Sequence, residues 1–359
     1  MRYIRKKKQE CYKNERYEKL IMDYKRLLTT KIPVRKNIDN GISMCNEPVD
    51  TDEDKINDFL MKDIIQYPDM REAYNNFSKT FNIPKENFIL TNGCEEALRL
   101  TSQLVLRYFI SVYDIGSVLY EYPTWELAPI ILRNSIKLIY PYSTEVIPDL
   151  YPINFKYDEK TNSFCYDDDT FNILKKEGIF DDSLIYITDK QNNLFGHEDM
   201  VLDEHRIGEI KYIIDETYTR NKLFNITNRK FDRNKFYIGS FSKNIGCGVR
   251  LGYILFNDCY YEIFNQYRPN YISSLASIYA SSPKLKKIIK PYSNYCNDKI
   301  IFGCDNFETM RLEDIVTNKD KNRINKVFEI DGIKFARLGK VSIKSDFSKF
   351  INSKGDIKL

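Results

Sequence analysis

The chain has 359 residues, of which 42% are hydrophobic, so it is long enough to form a large core in one big domain and a smaller one. Its 55 basic and 51 acidic side chains nearly cancel to a formal net charge of +4, which argues against general nucleic-acid binding. No apolar run reaches membrane-spanning length, and the basic start is not followed by the apolar run of a signal peptide, so we expect a cytoplasmic protein without a membrane contact.

The eight cysteines are scattered along the chain and form no CxxC pair. Only His197 and His205 could join them as metal ligands, so a zinc site is not expected and no metal is predicted. Reduced thiols in a cytoplasm fit this pattern best.

In chain order, residues 1–41 come first; they are polar and helix-prone, with an approximate apolar stripe that predicts an N-terminal helical arm. From Phe88 onward, FIL runs into TNGCEEALRLTSQLVLRYF, which predicts a strand, a glycine turn and a long amphipathic helix. Further strands are predicted at SVLY, SIKLIY, SLIYIT, IKYIID and KFYIGS. Strands that alternate with helices are typical of an α/β domain with a largely parallel sheet, which we place at residues 42–265.

After about Tyr271 the sequence is lysine-rich and irregular, and IKFARL is the last predicted strand. We therefore predict a small C-terminal domain over residues 266–359. The sequence contains no internal repeat, and no low-complexity linker separates its parts.

Several polar residues directly follow or end predicted strands. Asp215 ends IKYIID, Ser240 follows KFYIG, and Gly93 follows FILTN. Because ligands bind at the carboxyl ends of parallel strands, we expect these residues to lie at one functional edge of the sheet.

The segment GSFSKNIGCGVRLGY combines groups that suit two different parts of one ligand. The hydroxyls of Ser240 and Ser242 suit a phosphate, as does Arg250, whose guanidinium can bind two oxygens at once. The amine of Lys243 suits an aldehyde, with which it can form a Schiff base. Upstream, NGC places Gly93 and Cys94 at a predicted helix N-terminus, where free amides and the helix dipole favour an anion.

The motifs NGCEEAL, YPTW, QNNLFG, DETY and SFSK…R occur in an order that resembles the fold-type I pyridoxal-phosphate enzymes. The resemblance is closest to class I/II aminotransferases of the histidinol-phosphate aminotransferase group. CNEP and QYPDMREAYNNFSKTF are similar to the N-terminal motifs of that group, so the resemblance runs over residues 42–256. It implies an α/β aminotransferase fold of type I, with a mostly parallel sheet between helices in the large domain and a smaller, shortened C-terminal α+β domain.

The resemblance also implies a role for each matching residue. Lys243 would be the Schiff-base lysine and the proton carrier, and Asp215 would pair with the pyridine nitrogen of pyridoxal phosphate. Tyr218 and Asn193 would bond the ring oxygen, and Trp125 would stack on the ring. The remaining cofactor-binding residues, most of them around the phosphate, would be Gly93, Cys94, Glu95, Ser240, Ser242, Arg250 and, from the neighbouring subunit, Tyr67.

A shared site of this kind implies a homodimer. The small-molecule partners would be an amino donor and a keto or aldehyde acceptor, and Arg337 in KFARLGK would bind the substrate carboxylate. The resemblance thus points to a pyridoxal-phosphate-dependent aminotransferase. Two alternatives stay open at this point: a decarboxylase of a phosphorylated amino acid that uses the same cofactor, and a catalytically degenerate cofactor-binding protein.

Three features depart from the family pattern. The loop that reads NNPTG in the family reads NNLFG at residues 192–196. The spacing from Lys243 to Arg250 is one residue shorter than usual, and the C-terminal part is shorter as well. The glycines of GCG allow the loop between Lys243 and Arg250 to take another path.

Overall fold

A computed structural model of the chain describes residues 68–113, 116–139, 148–180, 183–188, 210–219, 222–244, 249–283, 285–289, 302–303, 307–316 and 324–339. The predicted N-terminal arm, the CNEP motif, Tyr67 and Asn193 lie outside these residues. All of the described residues belong to one compact unit. The division of the chain at residues 41 and 265 stays a prediction.

The described helices are α1 Met70–Phe81, α2 Cys94–Tyr113, α3 Leu127–Ile139, α4 Asp168–Lys176, α5 Lys222–Thr227, α6 Tyr261–Tyr267, α7 Ser274–Ser281 and α8 Leu285–Ile288. The described strands are β1 Phe88–Thr91, β2 Ser117–Tyr122, β3 Asp149–Asp158, β4 Ser163–Tyr166, β5 Ser183–Thr188, β6 Lys211–Asp215, β7 Lys235–Ser240, β8 Gly252–Leu255, β9 Phe302–Gly303, β10 Phe307–Arg311, β11 Ile324–Ile330 and β12 Ile333–Gly339. None of the described helices is both long and apolar enough to span a membrane.

Eight of the described strands form one large sheet in the order β1-β8-β7-β6-β5-β2-β3-β4. The central strands β7, β6, β5, β2 and β3 are parallel, whereas β8, β1 and β4 pair antiparallel at the two ends. Of these strands, β2, β5 and β7 are short and almost entirely buried, as expected when helices cover both faces of a parallel sheet. The predicted mostly parallel α/β sheet is therefore confirmed.

One predicted strand is wrong. SIKLIY was expected to be a strand, but residues 135–139 form the end of α3. Ala128, Ile131, Leu132, Ser135 and Ile136 of this helix are buried. Their spacing of three or four residues is that of one helical face, and a short apolar run alone does not distinguish a buried helix segment from a strand.

An aromatic core lies between α1 and the β1–β8 end of the large sheet. Phe77 and Phe81 of α1 pack on Phe88 and Phe241 with ring centroids 4.7–6.0 Å apart. Residues of α7 and α8, among them Ala276, belong to the same buried cluster. The chain after Tyr271 is therefore more regular than predicted, since it begins with helices packed on α1.

The second sheet is antiparallel, with the strand order β11-β12-β10-β9. Asp331 and Gly332 join β11 to β12 with φ values of 52° and 79°, which is the positive-φ pair of a two-residue hairpin turn. IKFARL forms most of β12, so that predicted strand is confirmed. The described residues after Tyr271 thus comprise helices that pack on the large sheet and a separate antiparallel sheet.

Candidate active site

The carboxyl end of β6 places Asp215 in a buried position among three donors. The Tyr186 hydroxyl donates to Oδ2 at 2.9 Å, and the Thr217 backbone N–H donates to Oδ1 at 2.8 Å. The Cys94 thiol donates to Oδ1 at 3.6 Å. All three groups donate to the carboxylate oxygens and hold them in place, so Asp215 is suited to face a positive charge, such as a protonated ring nitrogen.

Burial perturbs the two side chains that donate to Asp215. Burial, together with the charge of Asp215, raises the pKa of the Cys94 thiol well above its ordinary value. Burial and, second to it, the charge of Asp215 also raise the pKa of the Tyr186 hydroxyl well above its ordinary value. Both groups therefore stay protonated and act as donors at neutral pH.

The turn between β1 and α2 leads from a glycine directly into a helix N-terminus. Gly93 has φ 90°, which glycine adopts without strain, and it leads directly into the N-terminus of α2. Glu96 reaches back to accept from the Asn92 backbone N–H at 2.6 Å, which holds the turn against the helix. The first backbone amides of α2 are thus presented at the same edge of the sheet as Asp215.

The Arg250 side chain lies over this turn. Its Nη2 donates to the Asn92 carbonyl at 3.2 Å, and a methyl group added at Gly93 would lie 2.8 Å from the same nitrogen. Arg250 is exposed, and its backbone φ is 56°. The short spacing between Lys243 and Arg250 is therefore compatible with a guanidinium placed at the helix N-terminus.

The end of β7 supplies the two predicted hydroxyls. Ser240 Oγ lies 2.9 Å from Ser242 Oγ and accepts from the Ser242 backbone N–H at 3.1 Å. Both serines are buried. Ser240 pairs with Gly252 of β8, which in turn pairs with Thr91 of β1, so the serines and the Gly93 turn are close in the sheet.

Lys243 and Tyr218 lie side by side, with Lys243 Nζ 5.5 Å from the centroid of the tyrosine ring. Both side chains are half-buried. Tyr218 lies in the turn after β6, three residues beyond Asp215, and Lys243 lies in the turn after β7. The predicted carboxylate, phenol and amine are therefore at the ends of two neighbouring strands.

Three predicted residues are placed apart from this group. Trp125 lies half-buried in the turn between β2 and α3, at the same carboxyl edge but beyond β5. Glu95 pairs with Arg99 at 2.8 Å on the exposed side of α2. Arg337 lies on β12 of the small sheet.

These residues fit pyridoxal phosphate in the chemistry of their donors. The helix N-terminus, Arg250 and the two serines provide amides, a cation and hydroxyls for a phosphate, while Lys243 provides an amine for an aldehyde. The buried Asp215 provides the negative charge that a pyridinium nitrogen requires. The described residues contain no cluster of side chains that could hold a metal ion.

Comparison with protein-family models and with curated proteins finds no match. Solved structures do match. A protein of Erwinia carotovora atroseptica classed as a histidinol-phosphate aminotransferase superposes with a TM-score of 0.50 at 14% identity, over 81% of this chain and 87% of that chain. The chain has the type I aminotransferase fold.

Two further structures match less closely. The histidinol-phosphate aminotransferase from Sinorhizobium meliloti, solved with pyridoxal-5'-phosphate, has a TM-score of 0.48 at 13% identity over 79% of this chain and 80% of that chain. The L-threonine-O-3-phosphate decarboxylase from Porphyromonas gingivalis has a TM-score of 0.46 at 14% identity over 79% and 90%.

Three buried residues at this edge of the type I aminotransferase fold were not predicted from the sequence. Tyr186 donates to Asp215, as described above. Glu121 of β2 accepts from the Thr188 backbone N–H at 2.8 Å and from the Tyr166 hydroxyl at 2.5 Å. Lys222 donates to backbone carbonyls beside the site. A polar side chain inside an apolar segment was the available signal for Tyr186, because a buried tyrosine hydroxyl usually has a hydrogen-bond partner.

Proposed function

We propose that this chain is a pyridoxal-phosphate-dependent aminotransferase that moves an amino group from an amino acid donor to a small keto or aldehyde acceptor. The observation that carries the proposal is the buried Asp215 carboxylate, held by three donors at the same sheet edge as Lys243. A homodimer, with Tyr67 of one subunit reaching the other, and a cytoplasmic location belong to the same proposal.

Pyridoxal phosphate, when bound, supplies an electron sink that stabilises negative charge on the substrate carbon that loses a proton. The chain supplies the groups around that reaction. Gly93, the N-terminus of α2, Ser240, Ser242 and Arg250 would bind the phosphate. Asp215, held in place by hydrogen bonds from Tyr186 and Thr217, would pair with the ring nitrogen and keep it protonated.

Lys243 would hold and move the proton. Its amine would take the proton from the α-carbon of the donor and carry it to the cofactor carbon that accepts it. Tyr218, next to Lys243, would hydrogen-bond the ring oxygen, and Asn193 would be its second partner. Trp125 would stack on the ring, and Arg337 would fix the substrate carboxylate so that the bond to be broken is correctly oriented.

The proposal is tested by the absorption spectrum of the purified protein with added pyridoxal phosphate. We expect the visible band of a lysine-bound cofactor in the wild type and its loss in Lys243→Ala. Lys235→Ala is the matched control, since Lys235 begins the same strand, β7, at its opposite end. A wild type without the band, or a band that Lys243→Ala leaves unchanged, would refute the proposal.

The reaction is then identified with a panel of amino acids. An aminotransferase converts the donor to its keto acid and loses the visible band until an acceptor is added. If the donor releases carbon dioxide and no keto acid forms, the decarboxylase alternative is correct. A stable band that no amino acid changes would identify a catalytically degenerate cofactor-binding protein.

A further inference from the structure

Lys222 is a buried lysine for which the proposed reaction has no use. It is the first residue of α5, and its side chain is 1% exposed. Lysine is among the residue types least often fully buried, because removing its amino group from water is costly unless the group is well paired. Its burial therefore requires partners that compensate for the lost hydration.

Lys222 donates to two backbone carbonyls at the ends of neighbouring parallel strands. Nζ donates to the Thr217 carbonyl oxygen at 3.0 Å and also to the Ser240 carbonyl oxygen. It lies 5.4 Å from the ring centroid of Phe241 and 5.9 Å from that of Tyr253. The amino group thus sits between two polypeptide turns, with aromatic rings closing the space around it.

These two turns carry most of the candidate catalytic residues. Thr217 lies in the DETY turn between Asp215 and Tyr218, and Ser240 begins the SFSK turn that contains Ser242 and Lys243. The paired residues of β6 and β7 end at Asp215 and Ile238, followed by one more backbone bond from the Glu216 N–H to the Ile238 carbonyl. Beyond that point Lys222 provides a hydrogen-bonded link between the two turns.

We propose that Lys222 is a positioning residue, which fixes the DETY turn relative to the SFSK turn through the carbonyls of Thr217 and Ser240. It would thereby set the separation between the Asp215 carboxylate and the Lys243 amine, without touching substrate or cofactor. The consequence for cofactor binding rests on the proposed function, whereas the link between the turns does not.

A buried lysine at the other end of β6 provides a matched control. Lys211 is 2% exposed and donates to Asn234 Oδ1 at 2.5 Å and to the Arg233 carbonyl at 3.4 Å. Lys211→Met and Lys222→Met each replace a buried amino group by an apolar side chain of similar length. Only Lys222→Met removes a contact between the two turns.

The first measurement is hydrogen–deuterium exchange of the protein without cofactor. We expect Lys222→Met to speed exchange about tenfold in segments 215–219 and 240–244, because each turn loses a hydrogen bond to the linking amino group. Lys211→Met should leave both segments at the wild-type rate. Lys222→Gln, which keeps an uncharged donor, should show a smaller increase and replaces Lys222→Met if that variant does not fold.

The second measurement is the titration of each variant with pyridoxal phosphate, followed by its visible band. Lys222→Met is expected to keep the band, since Lys243 is intact, but to bind the cofactor about tenfold more weakly. Lys211→Met is expected to bind as the wild type does. Exchange that is unchanged in Lys222→Met, or raised equally by Lys211→Met, overturns the proposal. If the exchange result is as expected but the wild type takes up no cofactor, the link between the turns stands and the proposed function fails.

Discussion

Asp215 shows how a single residue at this site depends on hydrogen-bond donors from three separate elements, two of them side chains and one a backbone N–H. Its partners come from the N-terminus of α2, from β5 and from the turn after β6. The sequence predicted the carboxylate from its place at a strand end and from the DETY motif. It could not reveal Tyr186 as a partner, because the pairing of β5 with β6 places them together and that register is not visible in the sequence.

The Tyr186 contact predicts a distinct response of stability to alkaline pH. Burial raises the pKa of Tyr186 well above 10.0 and that of Cys94 well above 9.0, so above these values the unfolded chain loses protons that the folded chain keeps. The stability from each group is therefore complete below its ordinary pKa and is lost as the pH rises, by up to about 1.4 kcal/mol per pH unit for each group.

Urea unfolding of the wild type and of Tyr186→Phe at several pH values tests this response. We expect the variant to be less stable at pH 7 by about 1–3 kcal/mol, since Asp215 loses a buried donor, and to have a flatter decline above pH 10. Tyr271→Phe, at an exposed position, should follow the wild-type curve. Parallel curves for the wild type and Tyr186→Phe would show that Tyr186 is not the group responsible.

At the scale of the elements, the sequence predicted which segments form strands better than it predicted which strands pair with each other. FIL, SVLY, SLIYIT, IKYIID, KFYIGS and IKFARL all form strands, because short apolar runs bounded by turn residues are typical of buried strands. SIKLIY forms a helix end instead. The antiparallel position of β8 between β1 and β7 was not predicted, since it follows from contacts across the sheet that local sequence does not encode.

The close approach of Gly252 in β8 to the Gly93 turn leads to a prediction about this element. A methyl group at Gly252 would lie 2.6–2.7 Å from backbone atoms of Gly93, so the turn itself would have to move. We expect Gly252→Ala to destabilise the protein by about 1–3 kcal/mol and to weaken pyridoxal phosphate binding. Gly116→Ala, where nothing lies within 4 Å of the added methyl group, is the control, and we expect it to change stability by less than about 0.5 kcal/mol. Equal effects of the two substitutions on unfolding and on cofactor titration would contradict this account.

At the scale of the molecule, the β3–β4 hairpin joins the candidate site to the small sheet. Phe155, Tyr157 and Phe164 of the hairpin form a buried cluster with Ile330 and Phe335 of the small sheet. Asp331 accepts from the Tyr157 backbone N–H at 3.0 Å. Tyr218 packs against the same cluster, so the residue beside Lys243 also contacts the part of the molecule that links the two sheets.

The alternation of β12 places Arg337 on the side of the small sheet that carries this cluster. Ile333 and Phe335 pack in or against the aromatic cluster, whereas Ala336 and Leu338 pack in a separate cluster. Since every second residue of a strand shares a face, Arg337 lies on the same face as Phe335. This placement supports its proposed role as the group that binds the substrate carboxylate.

Steady-state kinetics of Arg337→Ala test that role. A carboxylate that loses a charged hydrogen-bond partner should be bound less tightly and oriented less well, so we expect kcat/KM for the amino donor to fall about 10- to 100-fold, through a higher KM and a lower kcat. Pyridoxal phosphate affinity should be unchanged, because Arg337 does not belong to the proposed cofactor-binding group. Lys334→Ala removes a cation from the same strand on the alternate face, where Lys334 is exposed, and should leave the kinetics within about twofold of wild type. If both variants behave alike, or if amines without a carboxylate lose as much rate as amino acids in Arg337→Ala, another residue binds the substrate carboxylate.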